Sequence, residues 1–509
     1  MNFAHTVRKS AADTARLSDS GNLTPGMILL TGARQWGPAL FLGVLAAICW
    51  WAASNADTDE VSTKPVTYTM ELDTPVLSAR RMPRSIQAPI ANRQLEPKIQ
   101  EVVSKSPEAS CLLVRSGNRN VGVPHNAEQT VIPASNQKIL TTFAALERLD
   151  PNFRFRTTVK SLEAPVEGKI EGDLYLVGGG DPYLSTDNWW EQYDDVEGRS
   201  HTRFEELADA IVELGVTEIE GDLIGDESLF DSARVGPWAT RLIESRQSGP
   251  LSALTVNEGF TDWPEVFPGS SASRSPTDNP PLHAVSVFED LLSQRGVSVN
   301  GTSTGKAPDE SVVRAAVESP PLANTVTHIN SYSSNIGAEL LLKQLGSHAS
   351  GDGTTQAGAE AVVQTLQNSG IAVEDLRIRD GSGLAESGRV TCAALAAVLE
   401  AAGPESAFAN SMSISGERGS LRTLFVDTPA DMRVRAKTGT LNDVLSLSGY
   451  IHPEGNGGES ILFAYVANGP AAATNPSVRE ARDLLVLSIA EYPEGPSLND
   501  VSPTQVTPR

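Results

Sequence analysis

The stretch PASNQKILTTFAALERL, residues 133–149, places a Ser-x-x-Lys pair, Ser135 and Lys138, at the head of an apolar-periodic run. Ile139, Phe143, Leu146 and Leu149 recur at three- and four-residue steps, which predicts a helix starting near Ser135. Residues three apart share a helix face, so hydroxyl and amine can meet. The positive end of the helix dipole also favours an oxyanion beside a serine placed there. The amine can act as a base only where burial or a neighbouring cation lowers its pKa. A lone Ser-x-x-Lys is most often a surface pair, and Ser303-Thr304-Gly305-Lys306 repeats the pattern. Gly305 and Pro308 do not suit a helix interior there and no apolar period follows, so Ser135 is read as the nucleophile.

Two further patterns follow along the chain. Ser333-Ser334-Asn335, in INSYSSNIGAELLLKQLG, sets a hydroxyl and an amide two apart, able to relay a proton and to orient the lysine. Alone it is an ordinary helix cap, and Ser116-Gly117-Asn118 and Ser298-Val299-Asn300 share it. Lys437-Thr438-Gly439-Thr440, in VRAKTGTLNDVLSLSGYI, reads as a strand from about Arg435, with Gly439 where a substrate backbone could come close. Lys437 with the hydroxyls of Thr438 and Thr440 is a carboxylate-binding set; alone, it is an edge strand guarded by a lysine. Ser-x-x-Lys, Ser-x-Asn and Lys-Thr-Gly, in that order on helix, loop and strand, form the signature set of serine β-lactamases and penicillin-binding proteins.

Outward from these motifs, Trp36 to Ala53 is uncharged for 18 residues, with Arg8, Lys9, Arg16 and Arg34 before it and Asp57, Asp59 and Glu60 after it. That asymmetry predicts a single-pass signal anchor over 36–53, a cytoplasmic tail over 1–35 and an extracytoplasmic remainder. The alternative is a secreted protein cleaved at the small residues Ala52-Ala53-Ser54 or Ser54-Asn55-Ala56. Residues 54–94 read as a proline-containing linker, and an amphipathic helix begins near Leu95. Residues 95–158 and 315–492 read as one discontinuous α/β domain around a strand-rich insertion, 159–314, whose helices fall near 203–214 and 282–295. Strands are expected at 111–115, 444–451 and 460–468, and helices at 321–345, 356–369, 390–402 and 476–491. The tail 493–509 reads as disordered.

A net charge of −23 over 509 residues disfavours nucleic-acid binding. The seven histidines are scattered, without an HExxH or CxxC pattern, so no metal and no cofactor is expected. Cys49 lies in the apolar run. Cys111 and Cys392 could form a disulfide outside the cytoplasm, and are read as two buried free thiols.

The chain from about 97 to 492 resembles the class C low-molecular-mass penicillin-binding proteins, the D-Ala-D-Ala carboxypeptidase/endopeptidase family. LVGGGDPYL (176–184), GDLIGDESLF (221–230), LSALTVNEG (251–259), RDGSGL (379–384) and GERGSLRTLF (416–425) carry the likeness beyond the three motifs. It implies a penicillin-binding, β-lactamase-like transpeptidase domain, an antiparallel sheet flanked by helices, with a large strand-rich insertion. It implies Ser135 as acyl-ester nucleophile, Lys138 as proton acceptor, Ser333 as relay and Asn335 as a contact to substrate and lysine. Lys437, Thr438, Gly439 and Thr440 would bind the terminal carboxylate. Asp181 resembles an insertion residue near the family's cleft, and equally reads as a turn aspartate before proline. Ala385 after SGL, and Gly388-Arg389 where the family often has Asn-Arg, depart from the pattern. The implied substrate is a peptidoglycan peptide, with β-lactams as covalent inhibitors; the oligomeric state stays open. A β-lactamase or esterase on this scaffold and a non-catalytic wall-binding protein are the alternatives.

Overall fold

VLSLSGYI and ILFAYVAN place apolar or small side chains on both sides of a pleated strand. Both strands, Val444–Ile451 and Ile461–Asn468, are buried along nearly their whole length and lie at the centre of a sheet. In this computed structural model, residues 37–54, 83–117, 119–193, 200–262, 274–453 and 459–492 are described. The six-stranded antiparallel sheet runs Ser413–Ile414, Val434–Leu441, Val444–Ile451, Ile461–Asn468, Ala109–Ser116, Arg119–Asn120. On one face Leu445, Leu447, Phe463 and Tyr465 pack against helices Pro83–Lys105 and Pro476–Glu491. On the other, Val444, Tyr450, Ala464 and Val466 share a core with helices Gln137–Leu149, Leu322–Tyr332, Asn335–Ser350, Thr355–Asn368 and Cys392–Ala402.

Two expectations about helices change. The helix expected from Leu95 begins at Pro83, so the linker reading of 54–94 fails over its last residues. Pro83 opens that helix without loss, because the first N–H of a helix has no partner to give up. Pro89 and Pro97 punctuate the sequence, yet burial of Leu95, Ile99 and Val102 against the sheet overrides them. The helix expected over 321–345 is two helices, broken at Ser333 and Ser334. The expected tails 1–35 and 493–509, with linker residues 55–82, lie outside the described residues.

A third expectation, free thiols at Cys111 and Cys392, is overturned. The two form a disulfide with Cα atoms 5.8 Å apart, joining strand Ala109–Ser116 to the first residue of helix Cys392–Ala402. Their separation of 281 residues is why spacing gave no sign of it. Replacing both by serine is expected to lower stability by about 2–5 kcal/mol, through the released unfolded chain. Urea unfolding with and without reductant checks this: the parent should fall to the variant's midpoint only when reduced.

The insertion builds a second sheet on Arg156–Ser161, Leu174–Val177, Glu218–Asp226, Ser298–Thr304 and Val312–Glu318, with a short Lys169–Ile170 strand. Its own core joins that sheet to helices Phe204–Glu213 and Pro280–Gln294. The chain also divides at Pro75: Met1–Pro75 is a separate unit from Val76–Arg509. In the first unit the apolar run forms the helix Gly37–Ser54, on which Val44, Leu45, Ile48, Trp50 and Trp51 are exposed. Among the described residues, no helix is long and apolar enough to cross a membrane.

Candidate active site

The nucleophile helix reaches the sheet because the strands beneath it carry small residues. Ser446 and Ser448 stand where larger side chains would hold it off. The Ser446 hydroxyl donates to the Pro133 carbonyl at 3.0 Å, and Asn136 Nδ2 donates to Ser448 Oγ at 2.7 Å. Gly439 is required here: a Cβ on it would lie 2.1 Å from Ser446 Oγ and 3.1 Å from the Ser135 nitrogen. Ser135 itself sits in a 3-10 turn, Ala134–Asn136, that leads into the α-helix Gln137–Leu149.

Lys138, one turn on, is completely buried. Its Nζ donates to Ser135 Oγ at 3.0 Å, to Asn335 Oδ1 at 2.8 Å and to the Ser382 carbonyl at 2.8 Å. Burial penalises the ammonium and brings its pKa down to about 7, although Asp380 and Glu339 pull the other way. An amine that loses its proton near pH 7 beside a serine hydroxyl has the chemistry a base needs to activate a nucleophile.

Ser333 and Asn335 arrive by a sharp turn between two helices. Ser333 holds φ 61°, ψ 33°, a left-handed conformation uncommon outside glycine, and the Ser334 hydroxyl caps the next helix by accepting from the Gly337 N–H at 3.2 Å. The turn puts Ser333 Oγ 2.9 Å from Lys437 Nζ and Asn335 Oδ1 on Lys138. Lys437 is buried too, and it also donates to the Thr438 carbonyl at 2.9 Å. Burial, and then the neighbouring Lys138, hold its pKa well below the ordinary lysine value. An arriving carboxylate would reverse that balance and charge it.

The Lys-Thr-Gly strand presents an open backbone edge. Val434 directs its carbonyl to the Ser415 N–H and its N–H to Ser415 Oγ. Alternation then turns the N–H and C=O of Ala436, Thr438 and Thr440 to the same edge. Strand Ser413–Ile414 covers that edge only as far as Ala436. The Thr440 N–H therefore faces the same side as the cleft, as a second oxyanion donor beside the Ser135 N–H requires. Ser420 Oγ, 2.7 Å from Thr438 Oγ1, lines the same edge.

The sequence reading missed several supports. The insertion contributes one: the Gln247 carbonyl accepts from Asn335 Nδ2 at 2.7 Å, which fixes the amide with its oxygen toward Lys138. A backbone carbonyl has no sequence signature. Glu339 and Asp380, both buried, hold the loop that supplies the Ser382 carbonyl; RDGSGL marked that loop without revealing its job. Asp181 is not brought to the cluster: its oxygens accept from the Tyr183 N–H at 2.9 Å and from the Thr202 hydroxyl, the turn role. Its burial raises its pKa to about 6. The second Ser-x-x-Lys comes apart, with Ser303 in a strand and exposed Lys306 beside Asp309. Among the described residues no His, Cys, Asp and Glu cluster is arranged to hold a metal ion.

Comparison with known proteins places this geometry. The model of the D-Ala-D-Ala carboxypeptidase 3 (S13) family matches residues 96–273 and 264–491. A D-alanyl-D-alanine carboxypeptidase from an Actinomadura species is 28% identical over 72% of this chain and 79% of its own length. The carboxypeptidase DacB of Mycolicibacterium smegmatis is 25% identical over 86% of this chain and 92% of its own. Crystalline penicillin binding protein 4 (dacB) from Haemophilus influenzae shares the fold, with a TM-score of 0.65 at 21% identity over 78% of this chain and 98% of that one.

Proposed function

The chain belongs to the D-Ala-D-Ala carboxypeptidase 3 (S13) family, and from that premise we propose how its residues divide the work. It is a serine-type D-Ala-D-Ala carboxypeptidase and penicillin-binding hydrolase of peptidoglycan peptides. The terminal D-alanine carboxylate docks on Lys437, Thr438 and Thr440. Ser135 Oγ attacks the penultimate carbonyl while Lys138 Nζ takes its proton, and the oxyanion rests on the N–H groups of Ser135 and Thr440. The C–N bond then breaks. The leaving amine receives its proton through Ser333, and water hydrolyses the ester to free Ser135. Support comes above all from one observation: a fully buried Lys138 amine bridging Ser135, Asn335 and Ser382. A β-lactam, whose amide and carboxylate mimic the dipeptide, acylates the same serine; the Haemophilus influenzae relative has been crystallised with one.

The test is D-alanine release from a soluble peptide ending in D-Ala-D-Ala, run beside a crosslinked dimer. Release from the first supports the carboxypeptidase reading, and scission of the second adds endopeptidase activity. A folded protein that turns over neither and takes no penicillin label would sink the proposal.

We further infer a membrane anchor over 36–53 with the catalytic unit outside. Charge asymmetry around the apolar run supports this, as does the disulfide, a bond that persists in oxidising compartments. The full chain should stay with membranes through a carbonate wash, and a chain starting at residue 57 should not; release of both would remove the anchor.

A further inference from the structure

Two buried carboxyl groups stand beside the catalytic amine, and the reaction above leaves them without a task. Glu339 is one helical turn past Asn335, and Asp380 opens the loop that carries Ser382. Glu339 accepts from the Gly381 N–H at 3.2 Å and the Ser382 N–H at 2.8 Å. Asp380 accepts from the Gly383 N–H at 3.0 Å, the Ala385 N–H at 2.7 Å and the Trp238 indole N–H at 3.1 Å. Their exposures are 1% each. The loop they hold is pressed against the nucleophile turn: a Cβ on Gly383, whose φ is +82°, would lie 1.8 Å from the Ala134 carbonyl oxygen. The Ser382 carbonyl that meets Lys138 is thus fixed from both sides.

We propose that Glu339 and Asp380 form a positioning pair for Lys138: together they fold the 380–385 loop over the amine and face it with one negative charge. Two ionised carboxylates buried together repel, so the pair retains a proton. Asp380, with three N–H donors, is the better seat for the charge. Burial raises both groups, repulsion by Asp380 adds to it at Glu339, and both in turn favour the protonated form of Lys138. Other charges facing this centre are few. Lys437, from the sheet, interacts with Lys138 but with neither carboxyl. Lys343, one turn beyond Glu339, is engaged by Asp231 of the insertion. The pair thereby opposes desolvation and keeps the amine basic enough to take a proton.

This reading rests on Lys138 acting as the base. Its test is the pH dependence of the acylation rate by a fluorescent penicillin in the parent, Glu339→Gln, Asp380→Asn and Trp238→Phe. Glu339→Gln replaces the protonated member and should leave the acid limb in place. Asp380→Asn takes the charge from its better seat and lowers the proton affinity of Lys138, so its limb should move down by about half a pH unit or more. Its plateau should fall with it, because a weaker base is a poorer acceptor. Trp238→Phe keeps both carboxyls and only removes a donor from Asp380, so it should shift the same way by less. It decides the matter if Asp380→Asn does not fold. A lower rate at every pH with the limb unmoved, in folded Asp380→Asn or Trp238→Phe, would make the pair merely structural and overturn the proposal. A parent that takes no label would instead remove the acyl-enzyme reading itself.

Discussion

Ser135→Ala is expected to abolish covalent labelling by penicillin and to lower kcat for D-alanine release by at least ~10³-fold. The hydroxyl is the atom that would form the ester, and nothing else in the cluster can replace it. Ser333 Oγ is held at 2.9 Å by Lys437, whereas the hydroxyl that Lys138 Nζ meets is that of Ser135. Lys138 keeps its bonds to Asn335 and Ser382 in the variant, so the cluster should fold unchanged around the missing oxygen. Ser303→Ala is the matched control, since that serine lies in an insertion strand. Gel fluorescence after incubation with a labelled penicillin reads both variants. Label surviving in Ser135→Ala, or lost in Ser303→Ala, would exclude the assignment.

Lys138→Met should come next in size, slowing acylation by about 10²–10⁴-fold. Methionine fills much of the buried volume but cannot take the Ser135 proton. It leaves Asn335 Oδ1 and the Ser382 carbonyl without their donor, an unfavourable change of about 1–3 kcal/mol per group. Removal of a buried amine offsets part of that loss. The pH profile separates chemistry from damage. In the parent, acylation should rise through about pH 7, where the amine loses its proton. Below that pH an ammonium cannot accept, and the rate should drop roughly tenfold per unit. In Lys138→Met this limb should vanish and leave a low, flat profile. A parent rate independent of pH between about 5 and 9 would show that Lys138 is not the base.

Much of this site was open to reading because its parts are local. Helical period placed Ser135 and Lys138 on one face, and the runs VRAKTGTL and VLSLSGYI read as the two strands that receive them. The break between helices 322–332 and 335–350 was hidden, because the left-handed turn at Ser333 is occupied by serine, not glycine. Composition misled before Leu95, where a stretch read as linker already belongs to the helix that begins at Pro83.

By itself the sequence determined which side chains could do chemistry and which elements carry them, since periodicity and motif order are properties of neighbouring residues. The tertiary structure alone decided what those side chains are. It buried Lys138 deeply enough to bring its pKa down to about 7 and set Glu339 and Asp380 against it. It brought the Gln247 carbonyl from the insertion to Asn335 and joined Cys111 to Cys392. Each of these depends on groups distant in the chain, and neither desolvation nor the direction of a backbone carbonyl is written in the local order of residues.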